Sequence, residues 1–171
     1  MRIFLKLLIF MCVFTCFGTS SNTNNIIVTT HKQPNNTTDW ILVAENIETT
    51  IYNAVPEQCG GNPSYTASSF KIKLNDVYSH KIIAMEKTFM KKLGLKFGDV
   101  IKIEGTGKWD GVWQIQDLMS SRFAGKKKID LLVPSNIKTG YWKKVKLYCL
   151  KDKSKTNYYK NKMAPPANKK K

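Results

Sequence analysis

Between Trp40 and Leu150 the apolar residues of this chain come in short runs, and nearly every run is closed by a turn signal. β-Branched and aromatic residues dominate Trp40–Ala44, Ile47–Ala54, Phe70–Leu74, Ile82–Met85, Val100–Glu104, Val112–Gln116, Ile129–Val133 and Val145–Leu150. Such side chains suit a pleated surface, so each run reads as a strand. Cys59-Gly60-Gly61-Asn62-Pro63, Gly105-Thr106-Gly107 and Asp110-Gly111 supply the residues that tight turns require. Only Glu86–Leu93 has helical spacing, through Phe89, Met90 and Leu93, with Gly94 placed to end it. Many brief strands, one small helix and no long amphipathic segment point to a small closed β-barrel rather than an alternating α/β sheet.

The segments flanking this region are of other kinds. Arg2 and Lys6 precede an apolar run, Leu7–Phe17, of secretory-signal length, with Gly18 and Ser20 as a small-x-small cleavage site. Residues 1–20 are therefore expected to be a signal peptide and the protein to be exported, periplasmic or extracellular. A lipid on Cys16 is the alternative, set against by the poor lipobox Val13-Phe14-Thr15. Residues 21–38, rich in Asn, Thr and Ser, read as a polar linker. Residues 39–150 form the foldable domain. Residues 151–171 hold eight lysines against Asp152 and no usable apolar period, and are expected to be a flexible basic tail.

The chain carries 28 Lys and Arg against 12 Asp and Glu, a formal charge of +16. That excess implies a polyanionic neighbour, and the tail can meet an anionic envelope polymer or simply solubilise the protein. No zinc-finger, RNP or recognition-helix pattern accompanies the lysines, so nucleic acid is not expected. Export leaves Cys59 and Cys149 in the mature domain, where a disulfide between them and two separate thiols both stand open. His31 and His80 lack metal-ligand spacing from either cysteine, so no metal and no cofactor are expected. A single domain of this size is expected to be a monomer.

Four stretches in order carry a family resemblance: Tyr52-Asn53-Ala54-Val55-Pro56-Glu57-Gln58, Pro63-Ser64-Tyr65-Thr66-Ala67-Ser68, Leu95 through Gly105, and Gln116-Asp117 through Lys128-Ile129-Asp130-Leu131-Leu132-Val133. Together they resemble the 3D domain, named for three aspartates, of the double-psi β-barrel group. That group includes the rare lipoprotein A family, the barrel of membrane-bound lytic transglycosylase A, and the expansins. The resemblance covers residues 50–150 and implies a six-stranded double-psi barrel with one short helix. Asp117 and Asp130 match the second and third family aspartates. The first position holds Glu86, after Ile83-Ala84-Met85, and Ser68-Ser69 replaces the expected glycine.

The resemblance implies a cell-envelope protein that binds or acts on peptidoglycan, in its enzymatic form a lytic transglycosylase. Such chemistry needs a carboxylic acid that stays protonated until it donates to the glycosidic oxygen. Asp117 is the expected acid. Asp130 is expected to raise the proton affinity of Asp117 by like-charge repulsion, or to anchor the barrel through backbone hydrogen bonds. Tyr52, Gln58, Thr66 and Glu86 are the substrate-binding candidates. The alternative is a non-catalytic, expansin-like carbohydrate-binding or structural module, favoured by Glu86 and Ser68.

Overall fold

The structure, a computed structural model, describes residues 39–163. The expected signal peptide and its cleavage site, Cys16, the 21–38 linker and the last eight residues of the tail lie outside the described residues. Six strands are present: β1 (Trp40–Asn53), β2 (Ile82–Met85), β3 (Val100–Glu104), β4 (Gly111–Leu118), β5 (Lys128–Val133) and β6 (Tyr141–Leu150). They close a barrel in the order β1-β5-β2-β4-β3-β6. The pairs β1/β5 and β2/β4 are parallel and the other four antiparallel. Exchanging β1, β2, β3 with β4, β5, β6 leaves every neighbour and direction unchanged. Two parallel pairs flanking the antiparallel β2/β5 pair under this pseudo-twofold relation are the double-psi topology.

The barrel interior takes one side of each strand, with Ile83, Ile101, Trp113, Ile115, Leu131 and Leu147 all fully buried. Each such side chain contributes about 1.5–3 kcal/mol by leaving water. The opposite faces of β1, β2 and β5 are also covered. There Tyr52, Ile82, Ala84 and Leu132 pack under Ile72 and Val77 from the long β1–β2 connection. Burial on both faces explains why Ile82-Ile83-Ala84-Met85 shows no polar alternation.

Phe70–Leu74, expected as a strand, makes only the isolated bridge Tyr65–Lys71 and then enters a 3-10 turn, Leu74–His80. Its backbone pairs locally, Ile72 N donating to Ser64 O and Thr66 N to Phe70 O, while Ile72 supplies the outer apolar layer. Helix α1 (Lys87–Lys92) matches the expected helix, and Gly94 follows it at φ 63°, a left-handed conformation glycine adopts without strain.

The tail departs from expectation. A second helix, α2 (Thr156–Met163), docks on the start of β1. Tyr159 is buried edge-on against Trp40 with ring centroids 4.9 Å apart, and its hydroxyl donates to Asp39 Oδ2 at 3.0 Å. Lys155 reaches Asp39 Oδ1 at 2.5 Å. Only Tyr159 and Met163 join the apolar contact, four residues apart on one helical face, too sparse a pattern to stand out in the sequence.

Cys59 and Cys149 are free thiols. Cys59 packs in the outer layer and donates to Asn53 O, whereas Cys149 sits on β6 between Ile41 and Ile101. The disulfide alternative is not realised.

Candidate functional site

A cleft of about 970 Å³ opens on the outer face of the barrel, between residues 57–67 of the β1–β2 connection and the β4–β5 loop. Its floor is a register row. Ala84 on β2 pairs with Asp117 on β4 and with Asp130 on β5, and Asp130 pairs in turn with Thr50 on β1. Adjacent strands lie about 4.8 Å apart, so roughly 10 Å separates the two aspartate Cα atoms across the alanine. Ala84, between the two aspartates, lines the cleft with a methyl group alone.

Asp117 reaches this row through a β-bulge. Ile83 pairs with Ile115, but the next residue, Ala84, pairs with Asp117, which leaves Gln116 as an extra residue on β4. Ile115 points into the core, so strict alternation would turn Asp117 inward as well. Ser68 fixes the bulge: its N–H donates to Gln116 O at 3.1 Å and its hydroxyl to Gln116 Oε1 at 2.7 Å. Ser68 therefore has a structural role in this chain.

The two aspartates are held in contrasting ways. Asp117 accepts from Tyr52 Oη at its Oδ2, and from Ala67 N and Leu118 N at its Oδ1, each at 2.9 Å. Asp130 has a buried Oδ1 with no hydrogen-bond partner among the described residues. Burial raises its carboxyl to about 6, against the pull of Lys128 and Arg122 and with a smaller upward push from Glu48. The expected roles are thus corrected in two respects: backbone N–H groups hold Asp117, while the buried Asp130 Oδ1 has no partner among the described residues, and burial rather than repulsion between the pair raises the Asp130 carboxyl.

The other candidates divide. Tyr52, Gln58 and Thr66 line the cleft. Tyr52 is a buried phenol whose acidity is suppressed first by burial and then by the charge of Asp117. Gln58 Oε1 accepts Asn53 N at 2.8 Å, and Thr66 Oγ1 accepts Phe70 N at 3.2 Å and meets Ser68 Oγ at 2.9 Å. Glu86 does not line the cleft. It is the buried N-cap of α1, accepting from Thr88 N at 2.9 Å and Phe89 N at 2.6 Å. Burial pushes its carboxyl up, and backbone donors from Thr88, Phe89 and Gly125 outweigh that and hold it below the usual value. Its assignment as a substrate contact is therefore replaced by a structural one.

Sequence reasoning missed Glu48, Arg122, Phe123 and Lys128. Glu48 pairs in register with Lys128, and the half-buried Glu48 carboxylate forms an ion pair with the buried Lys128 ammonium two residues along the strands from Thr50 and Asp130. The two-residue spacing of Lys128 and Asp130 on β5 was the available signal. Arg122 and Phe123 lie in the longer β4–β5 loop, where no periodicity marks them. Trp109 and Trp113 are core residues, so the rings available to a ligand in the cleft are Tyr65 and Phe123.

No protein-family model matches this chain, and no curated protein matches it. Among solved structures, the chain is similar to the computationally designed protein msDPBB_sym2 at 14% identity and a TM-score of 0.29, over 60% of this chain and 98% of that one. The fold assignment rests on the strand order and register described above.

Proposed function

We propose that the cleft binds a cell-wall glycan of the peptidoglycan type and that Asp130 donates a proton to a glycosidic oxygen there. The observation that carries this reading is the state of Asp130: a carboxyl raised to about 6, with a buried oxygen that has no partner among the described residues, on the floor of a cleft large enough for sugar rings. The resemblance to double-psi barrels of the envelope and the N-terminal apolar run support the choice of polymer and of compartment. In the transglycosylase form, Asp130 protonates the leaving oxygen as the C1–O bond breaks. The resulting carboxylate then takes the proton of the C6 hydroxyl as that oxygen bonds to C1, closing a 1,6-anhydro ring. Asp117 acts beside it as the acceptor that holds Tyr52 and the Ala67 wall of the cleft in place.

Incubation of the protein with purified peptidoglycan tests this. Anhydromuropeptides should be released by the wild type and not by Asp130→Asn. A folded wild-type protein that releases none sinks the enzymatic reading. A second reading, a carbohydrate-binding module without cleavage, is favoured by one observation: Asp117 is committed to three intramolecular donors. Retention on insoluble peptidoglycan without soluble product identifies it.

A further inference from the structure

The β4–β5 loop and the start of β6 concentrate positive charge at one end of the cleft. Arg122 lies 4.8 Å from the Phe123 ring centroid, and Lys128 and Lys126 approach the same ring at 5.1 and 5.8 Å. Lys143 and Lys128 approach the exposed Tyr141 ring at 5.6 and 5.9 Å. Lys128 is buried and neutralised by Glu48. Arg122, Lys126 and Lys143 are exposed, and none is paired with an acid among the described residues. Unpaired cations fixed beside aromatic rings, at the margin of a cleft that already holds Arg122, Phe123 and Lys128 in its lining, form a rim with unmet charge.

We infer that Arg122 and Lys126, stacked on Phe123, bind carboxylates of an acidic polysaccharide, so that the cleft selects a carboxylate-bearing glycan over its neutral counterpart. The guanidinium of Arg122 presents parallel N–H donors that match a carboxylate, and the Phe123 face gives the sugar ring an apolar surface beside it. The inference rests on the reading of the cleft as a glycan site and adds the charge class of its ligand.

Hexasaccharides of β-1,4-mannuronate and β-1,4-mannose differ in the C6 carboxylates and form a matched pair; chitohexaose probes the cleft for an amino-sugar glycan. Calorimetry at low ionic strength should give at least about tenfold tighter binding of the mannuronate than of the mannose hexamer, and the preference should weaken with added salt. Arg122→Gln with Lys126→Gln should bring binding of the mannuronate hexamer down to that of the mannose hexamer. The same charge change made remotely, Lys91→Gln with Lys92→Gln on exposed positions of α1, should preserve the preference. Equal binding of the matched pair, with chitohexaose still bound, overturns the inference and leaves the glycan site standing. A preference lost equally in both double variants overturns it too, because the overall charge of the protein is then the cause. Binding of none of the three sugars removes the glycan site itself. Circular dichroism confirms that each variant is folded.

Discussion

Asp117 and Asp130 face one another across Ala84, each paired with it in register; Asp117 accepts three hydrogen bonds, whereas the buried Oδ1 of Asp130 has no partner among the described residues. Similar position and unlike environment separate the two: Asp117 organises the cleft wall, and burial raises the Asp130 carboxyl to about 6.

Asp130→Asn should abolish glycan cleavage and stabilise the domain above neutral pH. The folded state holds the Asp130 proton up to about 6, whereas the unfolded chain releases it near 3.8. Folding therefore binds a proton in that window, and stability is fully present below it and declines as pH rises through it. Raising a carboxyl this far corresponds to about 3 kcal/mol once it is ionised. Urea denaturation at about pH 8 should show the variant more stable by a few kcal/mol, and at about pH 4 nearly equal to wild type. A variant less stable than wild type at the higher pH would mean that Asp130 has partners that stabilise its charge.

Asp117→Ala should lower stability by about 1–3 kcal/mol, because the buried Tyr52 hydroxyl and the Ala67 and Leu118 N–H groups lose their acceptor. Tyr52→Phe removes one of those bonds and should cost about 1 kcal/mol. Combined, the two changes should cost less than their sum, which a double-mutant cycle measures.

Glu48→Gln should move the alkaline limb of the activity profile to lower pH. Glu48 pushes the Asp130 carboxyl up and holds the Lys128 ammonium, which pulls it down. Without the Glu48 charge both effects lower the proton affinity of Asp130, and the general acid ionises earlier. A limb unmoved in rate measurements from about pH 4 to 8 would place the controlling group elsewhere.

Tyr159→Ala should lower the thermal midpoint, with a loss of about 2–3 kcal/mol as the ring leaves Trp40 and the Asp39 hydrogen bond is lost. Truncation after Lys151 should do at least as much. Unchanged melting after either would show that α2 does not secure the barrel.

Glu86→Ala should cost about 1 kcal/mol through the lost N-cap of α1 and leave any cleavage rate unchanged. A fall in turnover at full folding would return Glu86 to the cleft.

The strands were legible in the sequence because β-branched runs bounded by turn residues signal pleated structure wherever they pack, and α1 and Gly94 were legible because capping chemistry is local. Ile82–Met85 and Val100–Glu104 begin and end where the sequence indicated. The candidate cleft residues Tyr52, Gln58, Thr66, Asp117 and Asp130 were also found from the sequence, and the structure brings them to one cavity. Their separate roles were not legible. Asp117 faces outward only because a bulge at Gln116 interrupts the alternation, and Ser68, 48 residues away, holds that bulge. The proton affinity of Asp130 is raised because the closed barrel buries it, against the pull of Lys128, and those neighbours meet only after six strands have closed. Residue type and spacing set what each strand could be; burial and hydrogen-bond partners, which depend on distant parts of the chain, decided what each carboxyl could do.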